Sequence, residues 1–289
     1  MTSAAPDPEA LFLPLGRPRV MGVVNVTPDS FSDGGRWLEP QAAIGHGRQL
    51  LAEGADILDI GGESTRPGAT RPLVQEELGR VVPVISALAA EGAVVSVDTM
   101  RAEVARAALD AGASVVNDVS GGLADPEILD VAAAAGAAYV AMHWRAHAHH
   151  MRDFAVYDGP GGVVGAVLDE LGARAEAALA AGIAPGRLVL DPGLGFAKRA
   201  EHNWALLRDL DALAGLGYPL LVGTSRKSFL GRLLADRAGT PRPVDQREHA
   251  NTALTVHCAQ QRVWGVRVHD VRAARDAIRV VERLHEEDR

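Results

Sequence analysis

Short runs of apolar, β-branched residues recur along this chain, each followed by a longer Ala-rich stretch whose apolar positions fall at helical spacing. The pattern predicts strands near Val20 to Asn25, Asp56 to Gly61, Val94 to Asp98, Ser114 to Asn117, Ala138 to His143, Leu188 to Asp191, Leu220 to Gly223 and Val263 to His269. Helices are predicted between them, among others over Pro40 to Glu53, Arg101 to Ala111, Gly165 to Ala181 and Trp204 to Leu216. Strand–helix alternation of this kind is the pattern of parallel βαβ units. Gly54, Gly92, Gly112, Gly136 and Gly182 stand where helices should end, and Gly217 fits that role less well. Eight units without an internal linker predict a single (β/α)8 TIM barrel with long loops after strands 1 and 2; an open doubly wound sheet is the alternative. Residues 1–18 read as an N-terminal extension and 19–289 as the barrel domain.

Composition narrows the picture. Glycine is abundant, at 31 of 289 residues, while aromatic residues make up only 4%, so the core must be built from Val, Leu, Ile and Ala. Asp and Glu outnumber Lys and Arg by 37 to 29, which argues against a nucleic-acid surface but leaves room for a local anion site. Cys258 is the single cysteine and cannot form an internal disulfide, as suits a reducing, cytoplasmic setting. No apolar run reaches the roughly 20 residues that span a bilayer, and Met1 to Pro8 lack the signature of a signal peptide.

Candidate chemistry gathers at the carboxyl ends of the predicted strands: Asn25, Gly61 with Glu63, Asp98, Asn117 with Asp118, His143, Asp191, Ser225, and Arg267 with His269. The opposite junctions carry mainly Gly and Ala. In a barrel the carboxyl ends form the active-site face, so the asymmetry predicts an enzyme. The two-residue period of the last strand puts Arg267 and His269 on the inward face and Val266 and Val268 on the outward one. A buried guanidinium needs an anionic partner, either a phosphate or carboxylate ligand or an internal Asp. Asp59 with Gly61, and Ser96 with Asp98, share the inward phase, and ionised carboxylates there suit a heterocycle bearing N–H donors. Lys227 fits a point charge, a hydrogen-bond donor or a Schiff-base nucleophile equally well. The loops at 25–35 and 63–72 mix Pro, Gly and hydroxyls as lids do. The His-rich run from His143 to His150 reads as a solvated loop, with His143 a candidate pocket residue. The charged end from Glu282 to Arg289 reads as a fraying helix.

Several segments together resemble the dihydropteroate synthase family, the sulfonamide-targeted enzymes of folate biosynthesis: MGVVNVTPDSFSDGG at 21–35, DILDIGGESTRPGA at 56–69, SVDTMRAEVARAAL at 96–109, NDVSGG at 117–122, LDPGLGFAK at 190–198, GTSRKSFLG at 223–231 and RVHDV at 267–271. The resemblance is closest in flavour to actinobacterial members. It implies a transferase joining 6-hydroxymethyl-7,8-dihydropterin diphosphate to 4-aminobenzoate. On that resemblance, Asp98, Asn117, Asp191 and Lys227 hold the pterin, with Asp98, Lys227 and Arg66 taking part in catalysis. Asn25, Thr65, Arg267 and His269 face the pyrophosphate, Asn25 doubles as a Mg2+ ligand, and Thr65, Arg66, Pro67, Phe196 and Ser225 surround the aminobenzoate. It implies a homodimer as well. A methyltetrahydrofolate-dependent methyltransferase, a silent pterin-binding paralogue and a Lys227 aldolase are the competing readings. STRPG, SRK and RVHDV together disfavour the first, and intact loops disfavour the second.

Overall fold

The computed structural model describes residues 11–12, 15–27, 38–63, 71–146 and 153–286. Eight strands form, β1 (Arg19–Asn25), β2 (Ile57–Gly61), β3 (Val95–Asp98), β4 (Val115–Asp118), β5 (Ala138–Met142), β6 (Leu188–Asp191), β7 (Leu221–Val222) and β8 (Gly265–Val268). The intervening helices are α1 (Leu38–Glu53), α2 (Val74–Ala90), α3 (Ala102–Asp110), α4 (Glu127–Ala134), α5 (Gly162–Ala180), α6 (Ala200–Arg208), α7 (Leu210–Ala214), α8 (Ser228–Leu233), α9 (Glu248–Gln260) and α10 (Val271–His285). All strand pairs are parallel, in the order β6-β5-β4-β3-β2-β1-β8-β7. The two ends of that sheet meet. Leu190 bridges Leu220, and the Leu190 amide donates to the Pro219 carbonyl at 2.9 Å. Closure makes a barrel and removes the open-sheet alternative.

The strands are buried on both faces, as parallel sheets covered by helices must be. Outward residues such as Val20, Leu58, Val97, Val116, Leu190 and Val266 pack under the helices. Inward, Met21, Ile57, Val115, Val140, Val189 and Leu221 fill the lower barrel. Leu11 plugs it from the amino-terminal side, where Phe12 stacks on Trp264 at 5.9 Å. Each fully buried aliphatic side chain is worth about 1.5–3 kcal/mol, so a core almost without aromatic rings is sufficient. Cys258 lies in this core, where burial pushes its thiol up to about 12 and leaves it inert.

Gly54, Gly92, Gly112, Gly136 and Gly182 all take positive φ, as helix-closing glycines should, and so does Gly217 at 83°. The expected helix over Trp204 to Leu216 is instead two. Asp209 leaves helical geometry at φ −110°, ψ 36°, a position where Asp competes poorly with other residues for the helical state. α6 also starts earlier than expected, since the Asn203 side chain donates to the Arg199 carbonyl and receives the Gly195 amide. No helix among the described residues is long and apolar enough to cross a membrane.

Candidate active site

The phase of each strand decides what enters the mouth. From β8, Arg267 projects inward while Val266 and Val268 pack outward. Its Nε donates to Asp59 of β2 at 2.6 Å and its Nη2 to Asp98 of β3 at 2.7 Å. Asn117 of β4 donates to the same Asp59 oxygen at 3.0 Å. The anion required by Arg267 is therefore present within the protein as two carboxylates. The guanidinium still keeps 23% of its side chain exposed toward the mouth. Asp59 is fully buried beneath it.

Two carboxylates sharing one guanidinium cannot both be neutralised by it. Burial, opposed by Arg267 and reinforced by Asp59, raises Asp98 to about 7. Asp191, at the end of β6, is likewise pushed up by burial, although its Oδ1 accepts the Gly193 amide at 2.7 Å. Lys227, in the turn after β7, lies over the Phe196 ring at 4.1 Å, and burial brings it down to about 8. This ammonium rests on an aromatic face and between buried acids, which favours a charge role over that of a nucleophile. His269 is oriented by its Nδ1, 2.9 Å from Ser225 Oγ.

One pocket brings these groups together. Asp98, Asn117, Asp191, Ser225, Lys227, Arg267 and His269 supply its polar wall. Phe196, Met142, Val119 and Leu194 supply the apolar one. The last three were not singled out from the sequence; the inward phase of Ala138, Val140 and Met142 along β5 was the available signal for one of them. Asn25 ends β1 in the row of Gly61 and Asp98 but does not line this pocket. Thr65, Arg66 and Pro67 lie outside the described residues, as do residues 147–150 of the His-rich run.

Two strand-end candidates point away from the mouth. Asp118 follows inward-facing Asn117 and so faces outward, where it accepts from Ser120, Gly122 and the Tyr139 hydroxyl, each at 2.7–2.8 Å. It holds a turn. His143 follows inward Met142 and sits behind the wall, its Nε2 3.0 Å from Glu170 of α5 and its Nδ1 2.8 Å from Lys198. It is a buried structural group and does not line the pocket.

A family model described as pterin binding enzyme matches residues 21–269. The chain is 55% identical over 265 residues to the dihydropteroate synthase of Mycobacterium leprae, covering 91% of this chain and 92% of that one. The chain belongs to the dihydropteroate synthase family. Its fold agrees with solved members. Xanthomonas albilineans dihydropteroate synthase with 4-aminobenzoic acid superposes at a TM-score of 0.85, with 46% identity and 94% of each chain covered. The same bacterium's enzyme in complex with 7,8-dihydropteroate gives 0.82 at 42% identity, covering 95% of this chain and 96% of that one. Membership makes this chain a transferase of folate biosynthesis, and an actinobacterial relative is among the strong matches, in line with the motif reading.

Proposed function

We propose that this chain condenses 6-hydroxymethyl-7,8-dihydropterin diphosphate with 4-aminobenzoate, giving 7,8-dihydropteroate and pyrophosphate. The observation that carries the reading is the convergence of Asp98, Asp191, Asn117 and Lys227 on one half-apolar pocket below an inward Arg267 and His269. Carboxylate oxygens accept the ring's N–H donors, and Asn117 supplies both donor and acceptor. The C–O bond to diphosphate breaks first, and the leaving group takes the electron pair. The cation left on the pterin methylene is stabilised by the ring nitrogens and by nearby Asp98 and Asp191. The amine nitrogen then bonds that carbon and releases a proton. An arylamine is neutral near pH 7, so no dedicated base is required. Met142, Val119, Leu194 and Phe196 keep water from the cation. Arg267 and His269 meet the departing diphosphate at the mouth, with Asn25 and Thr65 beside it, while Thr65, Arg66, Pro67, Phe196 and Ser225 receive the aminobenzoate.

Magnesium fits this scheme as a companion of the substrate. Among the described residues no group of three His, Cys, Asp or Glu could cage an ion. Mg2+ commonly binds through one or two protein oxygens together with substrate phosphates and waters. The half-buried Asn25 amide at the end of β1 suits that mode, and a bound Mg2+ would neutralise charge growing on the diphosphate. The working protein is, on the family resemblance, a cytoplasmic homodimer.

A coupled pyrophosphate-release assay tests the function. Sustained release over many turnovers should require the pterin diphosphate, 4-aminobenzoate and Mg2+ together, and steady-state turnover that ignores the arylamine would refute it. In single turnovers, aminobenzoates of widely different nucleophilicity should leave the rate of pyrophosphate release unchanged; a proportional change would overturn the dissociative order.

A further inference from the structure

Behind the apolar wall lies a polar cluster that the mechanism does not use. Lys198 Nζ reaches three acceptors: His143 Nδ1 at 2.8 Å, the Gly193 carbonyl at 3.0 Å and the Phe196 carbonyl at 3.1 Å. An ammonium has three donors and no acceptor, so this set of acceptors matches a protonated lysine, although burial brings Lys198 down to about 7. His143 must then present a lone pair at Nδ1 and carry its proton at Nε2, where Glu170 accepts it. Burial and the adjacent Lys198 charge hold His143 down at about 4, in keeping with that neutral tautomer. Arg145 closes the circuit. It pairs with Glu170, donates to the carbonyls of Val156 and Phe154, and lies over the Tyr157 ring at 4.0 Å.

Both halves of this cluster grip the same turn. Lys198 binds the carbonyls at its two ends, and the Tyr157 hydroxyl donates to the Ala197 carbonyl at 3.0 Å. Ala197 is held at φ 45°, a conformation that residues with a side chain seldom adopt. Backbone in such a region persists where its surroundings determine it, and here the determinants are identifiable. The front of the turn faces the pocket. Phe196 supplies the ring under Lys227, and a Cβ added to Gly195 would stand 3.0 Å from the Lys227 side chain.

We infer that Lys198 is a positioning residue for the arylamine half of the site: by tying Gly193 and Phe196 to His143, it sets the Phe196 ring against Lys227. The inference rests on the function proposed above. It also gives a task to Arg145 and Tyr157, which buttress the turn from behind. The charged and titratable groups around Lys198 are His143 at the end of β5, Arg145 in the following segment, Glu170 of α5, Asp191 of β6, Lys227 after β7 and His202 of α6. Asp98 and Asn117 stand on other strands, and Asp191 is oriented by the Gly193 amide and not by the carbonyl that Lys198 binds, so the arylamine should respond more strongly than the pterin.

The test is steady-state kinetics on the full chain bearing Lys198→Met, a close match in length without donors, and Tyr157→Phe, which removes one hydroxyl. Lys198→Met should raise the KM for 4-aminobenzoate roughly tenfold while leaving the KM for the pterin diphosphate within about twofold, and Tyr157→Phe should shift the same constant in the same direction by a few-fold. Equal changes in both KM values, or none in either, would overturn the positioning role. If Lys198→Met does not fold, the split in Tyr157→Phe decides. An inactive wild-type chain would count against the proposed function, whereas an active wild type with an unmoved arylamine KM in the variants would count against Lys198 alone.

Discussion

Under the proposed function Asp98 faces two demands at once, pairing with Arg267 in the free protein and accepting ring N–H donors in the complex. Its usual value near 3.8 is raised to about 7, chiefly by burial, so at pH 6 most of the population carries a proton. Pterin binding needs the ionised form and therefore draws that proton off. Affinity for the pterin should rise with pH up to about 7 and level off above it. Calorimetry in buffers of different ionisation enthalpy should show about one proton released at pH 6 and almost none at pH 8.5. In Asp98→Asn the affinity should collapse and the proton release vanish; a wild-type affinity independent of pH would remove Asp98 from the pocket. Arg267 is less separable than its position in the sequence implied. The resemblance assigns it to the pyrophosphate, yet it also pairs with the buried Asp59 and with Asp98. Truncating it leaves two acids without their cation, so the pterin pocket suffers together with the phosphate end.

Among the elements, the loop after β6 and the helix ends on the opposite face illustrate two uses of the same residue type. Gly193 has φ 65°, and an added Cβ would lie 2.2 Å from the His143 carbonyl, a backbone atom that cannot move aside. Gly182, closing α5, has φ 98° but would meet only Ala133 Cβ at 3.7 Å. Gly182→Ala should thus cost about 1 kcal/mol, the conformational penalty alone, and leave activity intact. Gly193→Ala adds a clash and should cost at least about 3 kcal/mol while weakening pterin binding, because the Gly193 amide orients Asp191. Urea unfolding with parallel ligand titration checks both, and equal losses would refute the distinction. The same scale explains what the chain pattern left undecided. In Val115-Val116-Asn117-Asp118 both strand faces are buried, so polarity does not reveal the phase, and neighbouring Asn117 and Asp118 look equivalent. Register against β3 and β5 turns Asn117 inward and Asp118 outward. Met142 and His143 divide in the same way.

For the molecule as a whole, the barrel is least securely joined where it closes. β7 has two residues, and its contact with β6 is the single Leu190–Leu220 bridge, whereas β1 and β2 pair over five positions. Local opening should begin at that seam, and hydrogen exchange should find the Leu190 amide less protected than those of Val24 or Ile60. Uniform protection around the barrel would contradict this. Much was determined by the sequence alone, because it depends on neighbours along the chain. Alternating runs specified eight strand–helix units, glycines marked the helix ends, two-residue periodicity aimed Arg267 and His269 inward, and short motifs identified the family. What required the tertiary structure was set by closure. Arg267 meets Asp59 across 208 residues of chain, and Lys198 meets His143 across 55. Which polar neighbour enters the mouth, and which lysine braces the wall behind it, depends on strand register and long-range approach, and local backbone preferences carry no information about either.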